Sequence, residues 1–519
     1  MQARPSPKRI AIFCDGTWND LRTSHLTNVA RLAKCVAPID PASGMQQIVY
    51  YDEGVGVSSN ISKTTDSLVK LAGGALGRGL DRKVEAAYRF LVLNYEPDDE
   101  IFVFGFSRGA YTARSLCGLI RKCGIVRRDC FEQVPNAVLL YRNELHPREP
   151  KVMEFRQRFS HTRSAGREDE GWVAENVRDS PPTPIPGENN RAWLFQHRQD
   201  YSYRMMFLGV WDTVGSLGVP ARFGPLTWLN NKYRFHDTEL SGLLASVRHA
   251  VAIEEDRRVF DSAGMSNINE LNVEWAHSAA SKRNQTWEVI NPDEPNFVPY
   301  NHRPYQQVWF PGGHGAVGGG NPALGLPSAT LLWVAEGACW AGLAFSKNPR
   351  SELHMAVARV NPTAAWHVDK KGQPKRKNAF DLLGAIGGRR LRKGPDNLEE
   401  VGMTAILRWH AKRKWRPKNM DVLHQYPFPP APMADAPPGF PPEPQCCAPV
   451  PQCYPRKGAP RAAPPASTAD APPETGPAPP DDAAVAVKVV EDWLVTGDVK
   501  VQMPTITGLP DRQKKPDVN

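Results

Sequence analysis

The stretch Glu100-Ile101-Phe102-Val103-Phe104-Gly105-Phe106-Ser107-Arg108-Gly109-Ala110 decides the fold. Its first half is an apolar run of strand length. Its second half is G-x-S-x-G, and Ala110, Ala113, Leu116, Leu119 and Ile120 then fall on one helical face. Strand, tight turn and helix in immediate succession form the setting in which a serine can be exposed as a nucleophile. Gly105 and Gly109 are expected to leave the room that such a turn needs. The start of the following helix favours negative charge on a reacting carbonyl oxygen.

Working outward, strands are expected at Arg9 to Cys14, Gln47 to Tyr51, Glu100 to Phe104, Arg204 to Trp211 and Tyr305 to Phe310. Helical spacing is read at Asn28 to Val36, Leu80 to Tyr95, Glu239 to Ala252 and Ser328 to Phe345. Residues 57–79 read as a loop and 160–191 as a polar insertion. The alternation predicts an α/β fold, an α/β-hydrolase-like, mostly parallel sheet flanked by helices, with cap or insertion segments and a Pro-rich C-terminal tail. Ligands then belong beyond the carboxyl ends of the strands. The expected organisation is a catalytic domain over 9–345, a basic helical extension or cap over 346–426, a Pro-rich linker over 427–482 and a small β-hairpin over 483–507.

A serine hydroxyl needs a base, and the base needs an orienting acid. In this fold class the chain order is Ser, Asp/Glu, His. Asp212 ends the strand Arg204 to Trp211 and fits the acid. His314 follows Val308-Trp309-Phe310 on a glycine-rich loop and fits the base. His249 is its main rival and is expected to support the site by packing or a hydrogen bond; His302 is a weaker one. Asp15-Gly16-Thr17 ends the first strand. A phosphatase of the haloacid-dehalogenase kind would need an Asp two positions earlier, where Phe13 stands. The better reading is an oxyanion-hole loop, with N–H groups of Gly16 and Thr17 joining that of Arg108, and Asp15 bracing it.

The 519 residues carry 64 Lys+Arg against 55 Asp+Glu, a net charge of +9. Lys370 to Lys418 holds fifteen Lys/Arg and four Asp/Glu, so one segment carries the whole excess. With Trp366, Trp409 and Trp415 interleaved, it is expected to meet an anionic phospholipid surface. No nucleic-acid motif accompanies it. The nine cysteines are scattered, without zinc-ligand spacing, so no metal and no cofactor are expected. No apolar run reaches the length of a spanning helix, and the apolar stretch after Lys8-Arg9, Ile10 to Phe13, is too short for a signal h-region, which predicts a chain that is cytoplasmic as made.

The motifs together resemble a known family. Ile10 to Asn19 (I-A-I-F-C-D-G-T-W-N), Thr27 to Leu32, Tyr50 to Gly56, Gly105 to Leu116, Val210 to Gly218, Arg248 to Phe260 and Val308 to Gly320 occur in order. In this the chain resembles the catalytic domain of type VI secretion phospholipase effectors (Tle family 1), a group with many bacterial and fungal members. The resemblance implies Ser107 as nucleophile, Asp212 as acid, His314 as base, and acyl-ester hydrolysis of phospholipids. It also implies delivery into neighbouring cells with a carrier spike and an immunity partner. The chain departs from the family at Ala316, where an Asp is usual, and at Asn321, where a Tyr is usual.

Overall fold

The stretch Arg9–Cys14 (β1) is buried along its whole length, as are Glu100–Phe106 (β3) and Leu244–Ala252 (β5). Strands covered on both faces read as continuous apolar runs, and that pattern belongs to parallel sheets. In the computed structural model these strands join Gln47–Asp52 (β2), Arg204–Trp211 (β4) and Tyr305–Phe310 (β6) in one six-stranded sheet, ordered β2-β1-β3-β4-β5-β6, with every pair parallel. The structure describes residues 6–16, 25–54, 76–177, 201–215, 239–283, 298, 300–348, 350–366 and 388–425. The expected Pro-rich linker and hairpin lie outside these residues, as do Thr17, 178–200 and 367–387.

In chain order the described helices are α1 (Asn28–Ala33), α2 (Leu76–Asn94), α3 (Arg108–Cys123), α4 (Val134–Arg142), α5 (Pro150–Phe159) and α6 (Glu170–Asn176). They continue with α7 (Ile268–Arg283), α8 (His314–Gly318), α9 (Gly325–Trp340), α10 (Glu352–Arg359), α11 (Met403–Ala411) and α12 (Asp421–Gln425). Two glycines show that both faces of the sheet are covered. A Cβ on Gly105 would lie 2.4 Å from the Gly109 carbonyl oxygen of α3. One on Gly209 would lie 2.6 Å from Val334 of α9. Gly209 is in register with Phe104, the neighbour of Gly105. Successive strand residues face opposite sides, so α3 and α9 do too.

Three expectations are corrected. Glu239 to Ala252 is not helical, because its second half is β5, the fifth strand of the sheet. All nine of its residues are buried, which removes the alternation that would separate a strand from a helix. The helix expected from Leu80 begins at Leu76, so the last residues of the loop read over 57–79 are helical, and 57–75 lie outside the described residues. Of the three tryptophans expected at an interface, Trp366 is half-buried and the other two are core residues. Trp409 and Trp415 are buried with Trp309, Val251 and Leu423 in a second core cluster beside β6.

The chain leaves β1 to one side to form β2 and returns to the other to form β3. The crevice beyond the ends of β1 and β3 is therefore the switch point of the sheet, where such folds bind ligands. Asp15 and Ser107 stand on its two sides.

Candidate active site

Ser107 sits between β3 and α3 with φ 59° and ψ −123°. Tight packing enforces that conformation. A Cβ on Gly109 would stand 2.1 Å from the Cys14 carbonyl oxygen and 2.5 Å from that of Asp15, so the first turn of α3 lies on the backbone leaving β1. The Ser107 N–H donates to Trp211 O (3.0 Å), and Val214 N donates to Ser107 O (3.4 Å). The elbow is thus clamped to the end of β4, where Asp212 also has a positive φ, 40°.

His314 Nε2 lies 2.8 Å from Ser107 Oγ, and its Nδ1 lies 2.6 Å from Asp212 Oδ2. The imidazole is packed between the rings of Phe106 (centroids 4.6 Å apart) and Phe260 (4.7 Å). Its loop is held through the backbone by two carboxylates from the end of β5. Gly312 N donates to Glu254 Oε2 (2.7 Å) and His314 N to Glu255 Oε2 (3.1 Å). On the far side of the loop, Asn28 Nδ2 donates to Val317 O (3.0 Å) and Pro327 O (2.8 Å). The ring of Trp366 covers Gly313, where a Cβ would stand 2.7 Å from it.

Asp212 is fully buried, and its carboxylate accepts from four donors. Ala252 N (2.9 Å) and Arg392 Nη1 (2.6 Å) reach Oδ1; His314 Nδ1 (2.6 Å) and Arg392 Nη2 (3.0 Å) reach Oδ2. Burial alone would raise this carboxyl. The Arg392 charge and the His314 hydrogen bond override it and hold Asp212 well below the usual carboxylate range.

The main rival base has a different place. His249 is fully buried on β5, and desolvation, followed by the Arg114 charge, pushes its imidazole down to about 3. It is therefore neutral near pH 7. Its Nε2 accepts from Thr213 N (3.3 Å), which leaves Nδ1 to donate to Gln307 Oε1 (3.0 Å). It braces the residue after Asp212 and does not touch Ser107.

Asp15 braces the loop after β1. Its Oδ2 accepts from Thr27 Oγ1 (2.5 Å) and Tyr51 OH (2.8 Å), and its Oδ1 accepts from Gly16 N (2.6 Å). The Gly16 N–H, expected as an oxyanion donor, is thus engaged by Asp15. The Arg108 N–H is the first of α3 and has no partner within the helix. The Arg108 Nε is buried without a hydrogen-bond partner, and burial lowers the guanidinium to about 10. The two family departures are small. Ala316 is buried at the spot that a Cβ on Gly312 would strike (2.4 Å), and Asn321 Nδ2 donates to Gly315 O (3.0 Å).

Sequence reasoning missed Arg392, Glu254, Glu255 and Phe260. The last three stand in the quoted run Arg248 to Phe260, so their signal was present. Arg392 was hidden among the surface-like charges of the basic segment. Among the described residues no group of three or more His, Cys, Asp or Glu side chains could hold a metal ion. No described helix is long and apolar enough to cross a membrane.

Fold and site together define an α/β-hydrolase-like protein with a serine at its elbow. Residues 8–337 match the family model "T6SS, Phospholipase effector Tle1-like, catalytic domain", and the chain belongs to that family. It is 26% identical over 262 residues to the uncharacterized protein YEL023C of Saccharomyces cerevisiae, a match covering 49% of this chain and 32% of the yeast one. A solved Tle1 effector bound to the VgrG spike of a type 6 secretion system is 16% identical, with a TM-score of 0.29, covering 62% of this chain and 52% of that one. An uncharacterized Pseudomonas aeruginosa protein is 15% identical, with a TM-score of 0.30, covering 73% and 52%. The chain thus spans about half the length of these solved structures and a third of the yeast protein.

Proposed function

We propose that the protein is a serine ester hydrolase that cleaves acyl esters of phospholipids. The observation that carries this reading is the line Ser107 Oγ, His314 Nε2, His314 Nδ1, Asp212 Oδ2, with contacts of 2.8 and 2.6 Å, at the carboxyl edge of the sheet. His314 Nε2 takes the Ser107 proton as Oγ attacks the ester carbonyl carbon. Asp212 holds the imidazole in the tautomer that accepts at Nε2 and stabilises it once it is cationic. The Arg108 N–H faces the developing oxyanion. The tetrahedral species collapses, His314 returns the proton to the leaving lysophospholipid oxygen, and water then releases the fatty acid from Ser107.

Family membership favours a phospholipid, and the unpartnered Arg108 Nε beside the nucleophile suits an ester bearing a phosphate. The exposed side chains of Arg413, Lys414 and Lys418 are the described cations that would meet an anionic bilayer. Other charges of that segment are taken: Arg389 pairs with Asp256 (2.8 Å), Arg392 with Asp212, and Arg408 is buried. Delivery by a type VI system, a spike carrier, an immunity partner and an antibacterial role belong to the same proposal and rest on the family alone.

The test is fatty-acid release from anionic vesicles beside hydrolysis of a monomeric neutral ester. Wild type is expected to prefer vesicles, the more so at low salt. Ser107→Ala should lower both rates by roughly 10⁶-fold. A preference for the monomeric ester would shift the reading to a small-substrate esterase. Equal inactivity of both folded proteins would leave a non-catalytic binding module.

A further inference from the structure

Beyond the matched residues 8–337, the chain returns to the site. Gly388 to Gly394 runs along the loop that follows β5. Arg258 N donates to Gly388 O (3.1 Å), Arg390 N donates to Asp256 O (2.7 Å), and Arg257 and Arg389 form an antiparallel bridge. Gly394 fits against Asn419, whose carbonyl oxygen a Cβ there would overlap at 1.5 Å. Asn419 in turn donates to Ile253 O (3.0 Å). This strap carries Arg392 inward to 6% exposure. Its guanidinium grips both Asp212 oxygens, and it also donates to Ala252 O (3.0 Å) and Phe260 O (2.5 Å). A fork of this kind sets the plane of the carboxylate as well as its charge.

Resting on the hydrolase reading above, we propose that Arg392 is a positioning residue of the Ser107–His314–Asp212 line, supplied by a segment outside the matched catalytic domain. It holds Asp212 ionised and aimed at His314 Nδ1. Because its charge offsets that of Asp212, it also makes protonation of Asp212 harder. The acid limb of the reaction then lies at lower pH than it would without Arg392.

The charged surroundings leave that role to Arg392. Asp212 faces Arg392 from the strap, His314 from the loop after β6, and His249 on β5, which is neutral near pH 7. Arg392 faces Glu255 and Asp261 in addition to Asp212. Glu255 is itself engaged by Arg257 (2.5 Å), and Arg114 of α3 bears on His249.

The test is the rate of Ser107 labelling by a fluorophosphonate, against pH, on the full chain. It compares wild type, Arg392→Met, Arg392→Lys and Lys393→Ala. Arg392→Met should label roughly 10²-fold more slowly, as a misaimed catalytic group does. Its acid limb should move up by about one pH unit, since a neighbouring cation is gone. Arg392→Lys keeps a charge but not the fork, so it should slow roughly 10-fold with the limb in place. Lys393→Ala removes the neighbouring cation of the same strap, exposed and paired with Asp396 (2.9 Å), and should keep the wild-type rate and limb. A wild-type rate and limb in Arg392→Met, or an equal shift in Lys393→Ala, would overturn the proposal. Should Arg392→Met not fold, a wild-type rate in Arg392→Lys overturns it. A folded wild type that is not labelled overturns the hydrolase reading, and this inference with it.

Discussion

Each end of the sheet buries an arginine between carboxylates, and the two clusters are put to different uses. At the amino ends, Arg9 opens β1 and donates to Glu100 (2.8 Å), its register partner at the start of β3, and to Asp40 (2.7 Å). At the carboxyl ends, Arg392 arrives from far along the chain and grips a carboxylate that also holds an imidazole. The first cluster closes on itself. The second ends in the Ser107 hydroxyl, 2.8 Å from His314 Nε2. Backbone strain follows the same division. Asp98, before β3, has a positive φ of 80°, in a turn and in a residue type that tolerates it. Ser107, with ψ −123°, lies outside even the left-handed helical region, a conformation worth about 1–3 kcal/mol that the surrounding packing must hold. Charge burial alone therefore does not single out the candidate site; charge burial coupled to a strained serine does.

The largest effect that sharpens this contrast is Asp212→Asn. Asn tolerates the φ of 40°, so the backbone is kept while the orienting charge is lost. Turnover is expected to fall by roughly 10⁴-fold, about 5.5 kcal/mol of barrier. Next comes Arg9→Met at the other end. It leaves Asp40 and Glu100 buried without their cation, so stability should drop by about 3–5 kcal/mol, read as a urea midpoint. The labelling rate of the folded fraction should not change. A loss of labelling there would break the comparison, by showing that the amino end also tunes the chemistry.

The two ends were also unequally legible. The elbow, Asp212 and His314 stood at strand ends with glycines around them, so position and residue type pointed the same way. The strand between them did not announce itself, because Leu244–Ala252 is buried throughout and mixes Arg248 and His249 with small apolar residues. Arg392 was illegible for a different reason. One arginine among fifteen cations carries no local sign of burial, and only the path of Gly388 to Gly394 against residues 256–261 brings it to Asp212. The Arg9 cluster was equally silent, since pairing across a parallel sheet is not a sequence-local property.

Acid gives the smallest and most discriminating separation. His249 at the site end is neutral when folded, near 3 against an ordinary value of 6.5; His161, beside Tyr95 and Tyr203 and less fully enclosed, is held near 4. Both values are lowered by burial, so between the folded and ordinary values the unfolded chain binds more protons. Stability contributed by the neutral forms is complete above about pH 6.5 and is lost as pH falls toward the folded values, at up to about 1.4 kcal/mol per pH unit for each group. Asp212, held low, keeps its contribution until pH falls below about 4. Urea midpoints between pH 6.5 and 4.5 should therefore slope downward in the wild type. His249→Gln should remove its own share of that slope, leaving those of His161, His302 and His410, which burial also lowers. An unchanged slope would mean that His249 is protonated in the folded protein. Its hydrogen bond from Thr213 N could then not stand, and the bracing of the residue after Asp212 would have to come from elsewhere.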